Sequence, residues 1–242
     1  MTAILGFLLH SGLAFAVGST LINPSVEYRE FDYNGVDKLI ISNSSGRIAI
    51  SPMPLQKIEI TINKRKFGER CGLSVRKEEA TMVIIKVDKP LGEVCEVDFD
   101  VRVPKELNAE LTSGSGSITV DGLEAGLKFD IGSGNLKASG KWKKIDGKTG
   151  SGGVEITGIS GPVALKVGSG QVNLGFTENA RGDVSVTTGT GDAQLMFPKG
   201  TKLKTALITA NGSVDNQVGE SPRPELNVSV TAGSGDLSVK AY

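Results

Sequence analysis

The sequence predicts an all-β, single-domain protein, a parallel β-solenoid of about 18–23 residues per coil with an irregular N-terminal cap. Three observations predict it. A glycine-rich tripeptide recurs at a nearly constant interval. Short stretches of alternating apolar and polar residues flank each copy. The 242 residues hold 32 glycines but only 5 % aromatics, a composition of many tight turns around a thin core.

Gly-Ser-Gly or a close variant begins at Gly114, Gly132, Gly150, Gly168, Gly189, Ala210 and Gly233, at spacings of 18, 18, 18, 21, 21 and 23 residues. A fixed period of this kind marks stacked repeats, whereas a flexible linker keeps no such register. After the tripeptides come Ile118/Val120, Leu136/Ala138, Val154/Ile156, Val172/Leu174, Ala193/Leu195 and Leu237/Val239. Before them come Leu127/Phe129/Ile131, Val163/Leu165/Val167, Val184/Val186/Thr188 and Val228/Val230/Ala232. A period of two buries one side of a strand and wets the other. Two strands and two turns make one coil, and coils stack about 4.8 Å apart by parallel pairing. The tripeptide is the corner, where glycine lets stacked backbones approach closely. One coil alone buries too little to offset its ordering entropy, so the stack must fold cooperatively.

The chain opens with "MTAILGFLLHSGLAFAVGST". Its apolar run ends in Ala14-Phe15-Ala16, a small-x-small site, so residues 1–16 read as a signal peptide cut after Ala16, although no Lys or Arg precedes the run. The run is too short for a stable membrane span. Residues 17–37 form a lead segment, 38–110 capping coils and 111–242 the regular solenoid. In the cap, "DKLIISNSSGRIAIS" carries Ser44-Ser45-Gly46, an early corner. "KIEITINKRKF", "ATMVIIKVDKP" and "CEVDFDVRVPKELNAEL" read as further strands, and "NKRKFGER", Asn63 to Arg70, as a solvated charged loop. Cys71 and Cys95 are an even pair in an exported chain, which predicts a disulfide. With no histidine near them they make a poor zinc site.

Charge and chemistry then exclude several functions. Lys+Arg and Asp+Glu both count 27, whereas a nucleic-acid binder needs a basic excess. The one histidine, His10, falls in the presumed leader. Without it the mature chain has no Ser-His-Asp or Cys-His catalysis and no histidine metal site. Asp183, Asp192 and Asp236 do not recur at one position of successive coils. The residue after each tripeptide is Ser117, Asn135, Gly153, Gln171, Asp192, Ser213 or Asp236, with only two acidic among seven, unlike a calcium ladder. "DGKTG", Asp146 to Gly150, lacks the earlier glycine of a phosphate loop. No catalytic, cofactor or metal residue is assigned, and an enzyme is not expected.

Two repeated features bear on binding. Ser115, Ser133, Ser151, Ser169, Thr190, Asn211 and Ser234 occupy the corner centres. Stacked, they form a polar row that binds a glycan or ordered water, or more commonly satisfies corner backbone groups. Past each first strand lies an apolar residue: Leu123, Trp142, Ile159, Phe176, Phe197 or Val218. These form an aromatic strip or plug the core, and aliphatics at the same place favour the plug. The turns there lengthen toward the C-terminus, in "GFTENARGD", "MFPKGTKLK" and "QVGESPRPE". Insertions on one side of a solenoid often mark its binding face. The binding edge is therefore assigned to Trp142, Phe176, Arg181, Phe197, Lys199, Lys202 and Arg223. The sequence predicts that the last coil stops at Tyr242 after only one strand, and open strand edges invite pairing, so homo-oligomerisation through the C-terminal end is expected.

The passage "VDFDVRVPKELNAELTSGSGSITVDGLEAGLKFDIGSGNLKASG", with Val103-Pro104 followed by recurrent Ser-Gly-x-[Ile/Leu/Val] corners, resembles the bacterial putative-adhesin β-solenoid family, a family of unknown function related to the GIN-type heads of auto-transporter adhesins. "GVDKLIISNSSGRIAIS" is similar to its opening strand, and the likeness runs from about Gly35 to the C-terminus. The resemblance implies a non-enzymatic, exported surface or envelope protein that recognises a glycan, a cell-wall polymer or a surface protein. The alternatives are an envelope-internal structural or assembly protein and, third, a polysaccharide-cleaving enzyme.

Overall fold

The computed structural model of the protein describes residues 24–54 and 56–242. The expected leader, residues 1–16, and His10 lie outside the described residues. Every element within them is a strand. The cap holds β1 (Ser25–Asp32), β2 (Lys38–Ser45), β3 (Ile48–Pro52), β4 (Lys57–Phe67), β5 (Gly72–Glu78), β6 (Met82–Asp88) and β7 (Cys95–Val103). Five coils follow as strand pairs: β8 (Asn108–Ser115) with β9 (Ile118–Leu123), β10 (Gly126–Ser133) with β11 (Leu136–Trp142), β12 (Lys144–Ser151) with β13 (Val154–Ile159), β14 (Val163–Ser169) with β15 (Val172–Phe176), and β16 (Val184–Thr190) with β17 (Ala193–Phe197). Two more coils are β18 (Leu203–Asn211) with β19 (Val214–Asn216) and β20 (Leu226–Ser234) with β21 (Leu237–Ala241).

The first strand of each coil joins one sheet and the second joins the other. One sheet runs β1-β4-β7-β3-β9-β11-β13-β15-β17-β21-β19 and the other β18-β20-β16-β14-β12-β10-β8-β2-β6-β5. Coil on coil, the pairing is parallel and in register, as for Leu136 with Val154 and Val154 with Val172. The inward positions of both sheets interdigitate in one long core, from Leu39 and Ile41 to Leu237 and Val239. The fold is therefore the solenoid that the repeats predict.

β12 interrupts that inward pattern with a glycine. Gly147 stands where its neighbours have Phe129 and Leu165. A Cβ there would come within 2.1 Å of the Phe129 ring. The large side chain of one coil thus fills the space left by the next, which keeps the core at full packing density.

The cap departs from the expectation in two places. β1 is the outer strand of the longer sheet, paired antiparallel with β4, so part of the lead segment is structured. The supposed charged loop is mostly strand, since β4 continues to Phe67. Lys64 pairs with Glu27, Arg65 with Glu96 and Asp98, and Lys66 with Glu96. Four cations in eight residues disguise a strand whose charges all meet acidic neighbours.

Cys71 and Cys95 are joined, with a Cα–Cα distance of 5.9 Å. The bond ties the start of β5, at the edge of one sheet, to β7 in the other. Closing a loop over a separation of 24 residues stabilises the fold by about 3 kcal/mol. Replacing both cysteines by alanine should lower the melting temperature by roughly 6–12 °C, and an unchanged melting curve would contradict that role.

At the other end the stack leaves chain order. β20 and β21 lie between the coil of β16 and β17 and that of β18 and β19. The final coil is therefore complete and internal, and the exposed coil is the one before it. Side chains explain the exchange. The inward positions of β20 are Leu226, Val228, Val230 and Ala232, all buried, while those of β18 are Leu203, Thr205, Leu207 and Thr209. The more apolar coil takes the inner place and the threonine-bearing one faces water.

Candidate functional site

The corners bring Ser45, Ser115, Ser133, Ser151, Ser169, Thr190, Ser234 and Asn211 into register, one per coil. All but Ser45 and Ser234 are exposed. The row exists because the glycines on either side leave no room for a Cβ between stacked backbones. Ser151 Oγ donates to Ser133 Oγ at 3.3 Å.

Two residues beyond each corner centre, the polar side chains are used structurally. Asn135 Oδ1 accepts the Gly153 N–H at 2.8 Å, and Asp192 Oδ1 accepts the Asp236 N–H at 2.8 Å. Asp236 Oδ1 accepts the Ser213 N–H at 2.7 Å. That backbone donor holds the Asp236 carboxyl below its usual range. These aspartates staple one coil to the next. Among the described residues no three histidine, cysteine, aspartate or glutamate side chains gather as metal ligands.

One position further along the outer face, Asn173, Gln194, Ser238 and Asp215 stand side by side. With Gln171, Asp192, Ser213, Asp236 and Lys240 they line an open groove of about 390 Å³ on the last four coils of the longer sheet. It adjoins the end of the corner row at Thr190, Ser234 and Asn211. Amides and hydroxyls both donate and accept, and carboxylates accept. This is the complement of a surface of hydroxyl groups.

Elsewhere on the outer faces many of the charges are paired. Arg47 pairs with Asp100 and Arg102 with Glu59 near the cap. On the other sheet, Lys128 pairs with Glu110 and Lys148 with Asp130 across a shallow concavity of about 340 Å³. Such exposed pairs add little to stability, but they leave few free charges there for a ligand.

The residues assigned to a binding edge divide in two. Trp142, Phe176 and Phe197 are 0, 1 and 0 % exposed, so they are core plugs and not contact residues. Their place between the sheets, where each coil turns, gives them more apolar burial than an outward position would. Phe176 and Phe197 stack with ring centroids 4.3 Å apart. Arg181, Lys199, Lys202 and Arg223 are exposed along one side. Arg181 and Lys202 both engage Glu225, at 3.0 and 3.3 Å, so the edge is partly tied down. The groove is not apparent along the linear sequence. Its signal is the residue between the two apolar positions of "QVNL", "DAQL" and "DLSV", which reads as a polar ladder only when the coils are aligned in their true order.

A family model described as Toastrack DUF4097 matches residues 32–241. No protein of curated function matches the chain. Among solved structures, a putative lipid binding protein from Parabacteroides distasonis is 16 % identical, with a TM-score of 0.53, over 89 % of this chain and 96 % of that one. A putative adhesin from Bacteroides fragilis is 14 % identical, with a TM-score of 0.51, over 89 % of this chain and 97 % of that one. At this identity the likeness is one of fold.

Proposed function

We propose, from the premise that the chain belongs to the Toastrack DUF4097 family, that it is a non-enzymatic, adhesin-like binding protein of the cell envelope, and that its ligand is a linear glycan. The observation that carries this reading is the groove of Gln171, Asn173, Asp192, Gln194, Ser238 and Asp215. It repeats its polar groups once per coil, about every 4.8 Å, close to the length of one sugar ring. A polysaccharide crossing the coils would meet an equivalent donor and acceptor at each step. The description of one structural neighbour as a putative adhesin agrees with this reading, and that of another as a putative lipid binding protein supplies the competing ligand. The cell surface is the location this function requires.

The test is binding of the purified protein to an array of capsular and wall polysaccharides, with lipid vesicles alongside. The Asn173→Ala/Gln194→Ala variant removes two groove amides that are half-buried and outward-facing, so the fold should persist. Each lost hydrogen bond costs about 0.5–1.5 kcal/mol, and together they should weaken glycan binding roughly tenfold. Full binding by the variant would move the site elsewhere, and binding to vesicles alone would replace the glycan. Protease protection of the protein on intact cells, lost on lysis, would reject the surface location and favour an envelope-internal partner.

A further inference from the structure

The described residues contain four sheet edges: β1, β5, β18 and β19. Unpaired edges invite another strand, and proteins commonly blunt them with charge. β1 carries Glu27, Arg29 and Glu30, and β5 carries Arg76, Lys77 and Glu78. At that end Phe31, Tyr33, Leu73 and Val75 also pack over the core. β18 differs, because from Thr205 to Ser213 the sequence "TALITANGS" has no charge.

The far end is also open through its core. Leu207 of β18 and Val214 of β19 occupy inward positions, level with buried Val230 and Leu237. Yet Val214 is 49 % exposed and Leu207 only partly buried, while Ile208, on the outer face of β18, is 61 % exposed. A loop closes part of the edge. Ser221 N–H donates to the Leu203 carbonyl, and the Thr205 N–H donates to Glu220 at 3.0 Å. The Thr205 bonds hold the Glu220 carboxyl below its usual range. Amides alternate along a strand, so those of Leu207 and Thr209 point the same way as that of Thr205, away from β20. The loop stops before them.

We propose that this end is a homodimer interface in which the 207–211 half of β18 pairs antiparallel with the same half of a second copy. The partner must cover two edges and the core between them. One extended peptide would shield β18 and leave Val214 wet. A second copy brings its own β18 and β19, so Leu207 and Val214 of both copies are buried together in the continued core, while Ile208 packs on the outer face of the joined β18 strands. The loop at Thr205 selects the arrangement: about a two-fold axis near Thr209, the two loops lie at opposite ends of the joined strands and do not collide. The interface is isologous and closed. The charged, covered β1 and β5 end opposes head-to-tail growth into filaments. The dimer also carries the outer face of β19, with Ser213 and Asp215, up to its symmetry mate. If the groove is the glycan site, the two grooves would then meet at the seam and could be spanned by one chain.

Analytical ultracentrifugation between micromolar and high micromolar concentration tests the proposal without any ligand. The unmodified protein should sediment as a dimer. Val214→Lys and Leu207→Lys place a charge at half-open positions and should raise the dissociation constant at least about tenfold. Thr209→Pro, which removes an outward N–H from an edge strand, should do the same. Circular dichroism identifies any variant that fails to fold, and the remaining ones decide. A monomer for the unmodified protein at the highest concentration, or dimers undisturbed by all folded variants, would overturn the proposal. Failure of glycan binding with the dimer intact would count only against the groove.

Discussion

Replacing Gly152 by alanine should destabilise the protein by about 3 kcal/mol or more, a fall in melting temperature of roughly 6–12 °C for a chain of this size. Gly152 has a φ of +125°, and a Cβ on it would lie 2.0 Å from the carbonyl oxygen of Gly134 in the coil before. Neither atom can yield, because the Cβ is fixed to the backbone and both corners are hydrogen-bonded to the next coil, Gly134 N–H to Ser151 and Gly152 N–H to Ser169. Gly152→Ala must therefore push apart two coils in the middle of the stack. Gly200→Ala is the control. Gly200 also has a positive φ, +84°, but nothing lies within 4 Å of its Cβ position. It should lose only the left-handed backbone penalty of about 1–2 kcal/mol. Equal effects in thermal melts of the two variants would mean that the corner's conformation, and not coil-to-coil approach, is what requires glycine.

Trp142→Ala should cost about 3–5 kcal/mol, and glycan affinity per folded molecule should stay as it was. Trp142 is fully buried where β11 turns into the next coil, level with Ile159. Truncating it leaves a cavity that two rigid sheets cannot close. Its Nε1 has no hydrogen-bond partner among the described residues. Trp142→Phe therefore loses volume but also removes a buried donor, and should cost about 1 kcal/mol. A selective loss of binding in a stable Trp142→Phe protein would restore the aromatic to a contact surface. Chemical denaturation and a glycan titration on the same preparations separate the two roles.

The repeated corners and the period of two made the coils legible, because both follow from backbone geometry that each coil must satisfy alone. Stack order was not legible from spacing. Neighbours in sequence are usually neighbours in a solenoid, and the spacing of Ala210 and Gly233 fits that default. The exchange depends on comparing Thr205 and Thr209 with Val228 and Ala232, a competition between coils for one buried place. The strand at Asn63 to Phe67 was hidden because its charges are paired with Glu27, Glu96 and Asp98, residues distant in sequence. The core position of Trp142, Phe176 and Phe197 was foreshadowed by Leu123 and Ile159 at equivalent places. The groove was hidden because Asn173 and Gln194 become neighbours only when four coils are laid side by side.

The exchanged order of the last coils bears on how the molecule is made. A ribosome delivers this chain N-terminus first, and residues 203–216 emerge before residues 226–241. Their native seat lies against a coil that has not yet been synthesised. The growing solenoid therefore cannot be completed by simple addition at its tip. Residues 226–241 must take the internal position, and residues 203–216 reach theirs only afterwards. Residues 226–241 act as a keystone. A chain broken off before them loses two coils' worth of native seating, and with it the polar groove.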